Sequence, residues 1–467
     1  MFLDLDKKKP DKLAVVDNAG HRISYGQLTR FSLEIGKMAD PRSLVFCLCK
    51  NEAGSLAGYI GFVENDVVPL TLSSRIDKEL LESLSSTYKP QYYWVPEEDI
   101  HLVSGEKVFA SLGYVLLKTG NEPYPLHHKL QLLMTTSGST GSPKLVRYKK
   151  GNLEANAKNV AIAFGWTDQE RAICDLGMQY TMGLNVINTH LYVGATVLLT
   201  TYNLMSSEFW DYIRQEKGTN FTGVPFSYDI FARLHFERME LPDLHTLAEG
   251  GGKLTDRRYM ELAEYAQKHG KRFIPTFGTT ETSARLSMLP AELALRKVGS
   301  IGRAIPGGEL FLIDDEGKLL EEMAAEGEMC YRGPNVTMGY AVCKEDLAKG
   351  DEWNGEFHTG DLARRDADGC YYITGRKSRF LKLLSYRVGL DQSERLISEH
   401  FNIECACTGT DQRMDIYITE GALKGEVLSY ISEKTKLFKN LFKVIVVDSI
   451  PRNDSGKISY KELRENG

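Results

Sequence analysis

Two short apolar runs, Leu132-Leu133-Met134 and Leu145-Val146, are separated by Thr135-Thr136-Ser137-Gly138-Ser139-Thr140-Gly141-Ser142-Pro143-Lys144. The flanking patterns predict strands, so the small-residue stretch is a loop between two strands. Glycines and hydroxyl residues let backbone N–H groups and hydroxyls crowd around an anion without side-chain obstruction. Lys144 ends the loop with a compact positive charge. A flexible hydrophilic turn has the same composition. The nucleotide-triphosphatase P-loop is excluded by spacing: it needs Gly-Lys-Ser/Thr opening a helix, and here Gly141 is followed by Ser142-Pro143. A phosphate loop of another kind remains.

At 467 residues the chain is too long for one ordinary core and predicts two or three domains. A net charge of -6 argues against nucleic acid or an anionic membrane as partner. The eight cysteines form no Cys-x-x-Cys pair or Cys/His cluster, and the two Cys-x-Cys pairs lie in strand-like runs. Reduced, structural thiols are expected. Met1 to Lys9 is charged and lacks an apolar signal segment. No apolar run approaches ~18 residues. The expectation is a cytoplasmic protein without stable membrane insertion.

Ala14-Val16 and His21-Ile23 flank a turn and predict a hairpin, with Ser24 as the N-cap of a helix presenting Leu28, Phe31 and Ile35. Strands are expected at Leu44–Cys49, Val67–Leu72 and Tyr92–Val95, with helices at Glu52–Glu64 and Asp77–Tyr88 between them. After the loop the alternation continues. Helices are expected at Asn152–Phe164, Leu184–Tyr192, Ser207–Lys217, up to Leu234, and Thr255–His269. Strands are expected at Ala172–Leu176, Ala195–Thr200 and Arg272–Thr276. The class is α/β, with mostly parallel, covered sheets. Beyond Gly299 the pattern becomes β-rich. Gly375-Arg376-Lys377-Ser378-Arg379 is a basic break before a compact α+β pattern with helices at Asp391–His400 and Glu426–Lys436. The expected domains are therefore residues 1–376 and 377–467.

Four further segments stand out. Gly250-Gly251-Gly252 is a tight turn, or a place where a flat ring can lie against bare backbone. Thr276-Phe277-Gly278-Thr279-Thr280-Glu281 follows a strand, and Thr-Thr-Glu alone would read as a helix start. Thr359-Gly360-Asp361 reads as an Asx-type turn. Pro451-Arg452-Asn453-Asp454-Ser455-Gly456-Lys457-Ile458 reads alone as a surface turn with a solvated lysine.

Taken in this order with the loop, these motifs resemble those of the adenylate-forming superfamily: acyl-CoA synthetases, peptide-synthetase adenylation domains and beetle luciferases. The resemblance runs from about Ser24 to Leu463. It implies a large N-terminal domain of covered α/β sheets with a small β-rich subdomain, followed by a small mobile α+β C-terminal lid. It implies that Thr136, Ser137, Ser139, Thr140 and Lys144 bind ATP phosphates, and that Gly251, Gly252, Phe277, Gly278 and Thr279 surround adenine. Thr280 would contact phosphate, and Glu281 would be the magnesium-linked carboxylate, as a hard cation requires oxygen ligands. Asp361 would hold the ribose, Arg376 would reach the nucleotide, and Lys457 would join the acid's carboxylate to the α-phosphate. One such charge contact at ~4 Å and an effective dielectric near 20 is about 4 kcal/mol of gross Coulomb attraction. The implied cofactors are ATP, Mg2+, and coenzyme A or phosphopantetheine as acyl acceptor.

Two positions depart from the family pattern: Ser378, where a hinge Asp or Lys is usual, and Ser385, where a glycine is usual. Both bear on the second half-reaction. Leu176 to Asn185 carries no acidic residue, whereas amino-acid-activating domains usually place an Asp there. A small carboxylic acid without an α-amino group is therefore the expected substrate. Tyr180, Gly183, Phe226 and Ser227 are candidate pocket residues, with ordinary core packing as the alternative. Amino-acid activation, a carrier-protein acceptor and a non-catalytic nucleotide-binding relative stay open.

Overall fold

The computed structural model describes residues 1–135, 144–384, 386–452 and 457–465. Leu44–Cys49 is buried at every position, as a strand must be when helices cover both faces of its sheet. It pairs in parallel with Val68–Ser73 and Tyr92–Pro96. Leu130–Thr135 joins in parallel beyond Val68–Ser73 and turns back through Leu145–Lys149. The eight-stranded sheet ends on one side in the hairpin Glu106–Ser111/Tyr114–Lys118, which the sequence pattern did not predict, and on the other in Tyr340–Ala341.

A nine-stranded sheet carries a parallel run from Leu13–Asp17 through Thr196–Leu199, Arg171–Cys174, Asn220–Gly223 and Thr246–Glu249 to Arg272–Thr279. One hydrophobic cluster joins the two sheets: Val45 and Cys47 from one, Val15, Ala172 and Val197 from the other, and Tyr59, Ile60, Leu184 and Ile187 from the helices between. Ala53–Glu64 is buried on all sides up to Val63, so it is apolar all round rather than amphipathic. A Cβ added at its Gly58 would lie 2.2 Å from the Trp94 indole nitrogen, so only glycine allows this approach.

Most expected elements are present within a few residues. Ser24 caps Tyr25–Ile35 in a reciprocal pair with Gln27. The boundary differences that matter for the motifs fall in three elements. Arg171–Cys174 ends before Asp175, Thr181–Val193 starts three residues earlier than expected, and Arg272–Thr279 runs on through Phe277 to Thr279. Ladder pairing to Ala284–Met288 holds those last residues extended. All eight cysteines are free thiols.

Glu309–Ile313, Ala325–Arg332, Glu356–Arg365 and Tyr371–Arg376 form an antiparallel sheet. Beyond it the hairpin Phe380–Leu383/Tyr386–Gly389, a three-stranded sheet and the helices Leu390–Phe401 and Lys424–Thr435 gather around Leu383, Ile397, Ile416, Val427 and Ile431. No helix among the described residues is long and apolar enough to cross a membrane.

The first sheet is fastened to the β-rich region by Arg147, whose side chain is fully buried. Its Nε donates to Tyr340 O at 3.0 Å, Nη1 to Lys349 O and Gly350 O at 2.6 and 3.2 Å, and Nη2 to Met338 O at 3.2 Å. Nη2 also pairs with Glu352. Removing the guanidinium strands these buried carbonyls, each costing about 1–3 kcal/mol. Arg147→Met is therefore expected to destabilise the protein by about 3 kcal/mol or more, measured as a shift in the urea unfolding midpoint at unchanged slope.

Candidate active site

The strands Leu130–Thr135 and Leu145–Lys149 hold the ends of the small-residue loop. Thr136, Ser137, Ser139 and Thr140 lie outside the described residues. Lys144 is exposed, and its ammonium stands 5.1 Å from the centre of the Tyr340 ring. The Tyr340 hydroxyl donates to Glu281 Oε1 at 2.7 Å. Burial raises the pKa of this phenol, and the negative charge of Glu281 raises it further. Lys144, Tyr340 and Glu281 thus form a continuous contact between the end of the loop and the motif carboxylate. Nothing marks Tyr340 in the sequence: a lone Gly-Tyr pair is common, and only the antiparallel pairing of Tyr340 with Val146 brings it here.

Thr280 is held from two sides. Tyr148 donates to its carbonyl at 2.7 Å, and Thr181 donates from Oγ1 to its Oγ1 at 3.0 Å. Neither partner was singled out in the sequence. The chain then passes through Ser283 at φ 59 and Ala284 at φ 99. Such backbone persists where the surroundings over-determine it. Ser283 Oγ donates to Asn335 O at 2.8 Å, and Asn335 Nδ2 donates to Thr282 O at 2.7 Å. Phe277 is partly buried at the strand end. Gly278 has a framework reason as well as its expected place beside adenine: a Cβ there would meet Ala284 O at 1.6 Å.

Gly250-Gly251-Gly252 follows the strand Thr246–Glu249, with Gly251 at φ +83. A Cβ at Gly250 would clash with Met182 Cε and Thr276 Oγ1, and one at Gly252 with Pro225 Cγ. The turn therefore packs directly against the starts of Thr181–Val193 and Pro225–Arg233.

Asp361 is 3% exposed and accepts from Arg376 Nε at 3.0 Å on Oδ1. Its Oδ2 is buried without a hydrogen-bond partner among the described residues. Burial pushes its pKa up, while Arg376 pulls it down. Such an orphaned acceptor suits a ligand hydroxyl. Lys457 keeps solvent access. The crowding around its ammonium lowers its pKa, as does Arg376, and Glu281 and Asp361 act in the opposite direction. Lys457, Arg376, Asp361 and Glu281, widely separated in the chain, therefore share one electrostatic site.

The four candidate pocket residues have different local surroundings. Tyr180 sits at the N-terminus of Thr181–Val193. A Cβ on Gly183 would lie 2.5 Å from the carbonyl oxygens of Leu176 and Gly177, so its smallness serves the loop's own packing. Ser227 is buried, and its Oγ accepts from the Val224 N–H at 3.4 Å, capping the helix start. Phe226 is 43% exposed.

No cluster of three or more His, Cys, Asp or Glu able to hold a metal occurs among the described residues. Glu281 Oε1 accepts from the Tyr340 hydroxyl, and the sequence expectation for this carboxylate is the link to a magnesium ion.

The sequence model of the AMP-binding enzymes matches residues 4–341. The 2-succinylbenzoate–CoA ligase of Bacillus cereus is 28% identical over 354 residues, covering 74% of this chain and 71% of that protein. The oxalate–CoA ligase of Arabidopsis thaliana is 26% identical over 345 residues, covering 71% and 66%. The o-succinylbenzoate CoA synthetase of Bacillus subtilis, solved with its acyl-adenylate intermediate, aligns with a TM-score of 0.82 at 21% identity, over 99% of this chain and 97% of that one. That likeness shows the fold, a large N-terminal domain followed by a smaller C-terminal one. With the family's model spanning well over half of it, this chain belongs to the AMP-binding enzymes of the adenylate-forming superfamily.

Proposed function

We propose that the protein is an AMP-forming acid–thiol ligase. It activates a small carboxylic acid with ATP and passes the acyl group to coenzyme A. The observation that carries this reading is the Arg376–Asp361 pair with its unpartnered Asp361 Oδ2, whose charges, with that of Glu281, act on Lys457. The relatives' names as CoA ligases support coenzyme A as acceptor.

In the first half-reaction a carboxylate oxygen of the acid attacks the α-phosphorus of ATP. The bond between that phosphorus and the bridging oxygen breaks, and pyrophosphate leaves. Lys457 holds the two anionic reactants together and offsets the charge that builds between them. Asp361 Oδ2 accepts from a ribose hydroxyl, Arg376 reaches the nucleotide's oxygens, and Phe277 stacks on adenine. Thr280 Oγ1 contacts phosphate, and Lys144, with Thr136, Ser137, Ser139 and Thr140, serves the β- and γ-phosphates. Glu281 would hold Mg2+, whose chemistry is to neutralise phosphate charge. In the second half-reaction the thiol sulfur attacks the acyl carbonyl carbon, its proton is released, and AMP leaves.

We place the hinge between the two half-reactions at Ser378, close to the boundary expected from sequence. Lys377 belongs to the large domain: its ammonium pairs with Glu328 at 2.7 Å and its N–H donates to Gly360 O at 2.8 Å. Arg379 belongs to the lid, pairing with Asp391 and Glu394 and lying 4.0 Å from the centre of the Tyr460 ring. Ser378 between them is exposed. Ser385, the other departure from the family pattern, lies outside the described residues. A carrier-protein thiol in place of coenzyme A is the second acceptor this chemistry admits.

Acid-dependent exchange of pyrophosphate into ATP is the direct measurement. Lys457→Ala should slow it by roughly 100- to 1,000-fold, the scale of losing one transition-state charge contact. Thioester formation from added acyl-adenylate should change little. Equal loss in both steps would remove Lys457 from its step-specific role, and no loss in either would make it a surface lysine.

Glu281→Gln should raise the Mg2+ concentration needed for half-maximal exchange by about tenfold or more, equivalent to ~1.4 kcal/mol. A magnesium titration that superimposes on that of the wild type would disprove the metal assignment.

A further inference from the structure

Glu281 is gripped at its main chain and its side chain by one short segment, residues 335–340. Asn335 Nδ2 donates to Thr282 O at 2.7 Å, and the Asn335 carbonyl accepts from Ser283 Oγ at 2.8 Å. The Thr337 N–H donates to Glu281 O at 3.0 Å. Tyr340 then donates from its hydroxyl to Glu281 Oε1 at 2.7 Å. The same segment is fixed from behind: the Met338 N–H donates to Arg147 O at 2.8 Å, and the Arg147 N–H to Gly339 O at 3.0 Å. Gly339 suits this close approach, with φ +123 and a Cβ that would meet Arg147 Nη2 at 2.9 Å.

The Tyr340 ring is equally constrained. Its centre lies 5.0 Å from that of Trp353, with the two planes at 90°. Its other contact is the Lys144 ammonium, 5.1 Å from the ring centre. Among the described residues, neither Lys144 nor Glu281 is within ion-pair distance of a side chain of opposite charge. An aromatic ring has a negative face and a positive edge. The ammonium accordingly meets the ring, and the carboxylate takes the hydroxyl proton at the edge. The two charges are thus held near one another and apart. A lysine on its flexible stem would otherwise swing to the nearest carboxylate. A pair so formed offers less charge to phosphate and to a cation. A carboxylate has about four acceptor positions, so the bond from Tyr340 leaves the others open to a metal ion.

We propose that Tyr340 is a positioning residue for the adenylation step. Its hydroxyl sets the Glu281 carboxylate in the orientation that takes Mg2+, and its ring keeps Lys144 beside that carboxylate without pairing to it. The lysine is then free for phosphate and the carboxylate for the metal. Tyr340 acts through these two neighbours. The inference rests on the adenylation reading above.

The experiment follows magnesium in two ways: the Mg2+ concentration for half-maximal pyrophosphate exchange, and calorimetric titration of ATP at a series of Mg2+ concentrations. Tyr340→Phe keeps the ring and removes the donor. It should raise the Mg2+ requirement by about three- to tenfold, the scale of one hydrogen bond to a charged group, with KM for ATP within about twofold of wild type. Tyr340→Leu removes the ring as well and should raise both quantities, by about tenfold or more for Mg2+. Adding Lys144→Met to Tyr340→Leu should bring the Mg2+ requirement back toward that of Tyr340→Phe, because no ammonium is left to capture the carboxylate. A role in packing alone predicts lower stability and lower kcat at an unchanged Mg2+ requirement. That result, or a Tyr340→Phe titration that superimposes on the wild type, would overturn the inference while leaving adenylation standing. A Mg2+ requirement that falls in Tyr340→Phe would overturn it too, since the hydroxyl would then be competing with the metal. If no acid supports exchange but the ATP titrations show these Mg2+ shifts, the role of Tyr340 stands and the adenylation reading fails. Should Tyr340→Leu not fold, Tyr340→Phe decides alone.

Discussion

The antiparallel contact between Leu145–Lys149 and Tyr340–Ala341, clamped by Arg147, is the constraint on which the rest of the site depends. It closes the edge of the first sheet with a strand from near the β-rich region. It also fixes where the small-residue loop ends relative to the Thr276–Glu281 motif. Because Tyr340 is set by this pairing, its hydroxyl reaches Glu281 while its ring faces Lys144. A loosened clamp would leave the loop's cation and the motif carboxylate without a common reference. Arg147 is satisfied on every side, as a buried guanidinium must be to support a framework.

Onto this fixed part the C-terminal segment brings its own charge. Lys457 and Arg376 repel one another, and their pKa linkage has that sign, while Glu281 and Asp361 draw the lysine in. An arrangement of two cations and two carboxylates is nearly balanced by itself. It becomes more favourable when an anionic reactant lies beside the two cations. The change of partners from Lys377 to Arg379 marks where the chain leaves the antiparallel sheet for the C-terminal elements. One residue is tied to the antiparallel sheet, the other to the lid, and a single exposed serine lies between.

The two fully enclosed arginines show how burial and partnering separate. Arg147 and Arg285 are the same residue type, each in a strand close to a motif, each almost without solvent contact. One is surrounded by carbonyls and a carboxylate; the other has the Asn185 amide oxygen, the Thr222 hydroxyl and the Phe164 ring. The difference lies in what surrounds each charge, since the burial is shared.

What the sequence determined by itself was local. Apolar alternation, the Ser24 cap and glycine-rich punctuation depend on near neighbours, so the order of strands and helices was legible along most of the chain. Motif strings were legible as well, because the types needed for phosphate, ribose and cation are few and their spacing is short. Their resemblance to a family supplied the roles. Tertiary structure decided the rest. Thr181 acquires its part through Thr280, Tyr148 through the same residue, and Tyr340 through Val146, contacts that span roughly a hundred residues or more. Gly183 and Ser227, candidate pocket residues with core packing as the alternative, have packing and capping reasons that only the folded chain shows. Which partners a buried charge finds inside the chain is set by which strands lie side by side and which faces they share. Spacing along a sequence does not encode that, because the free energy of a charge depends on everything folded around it.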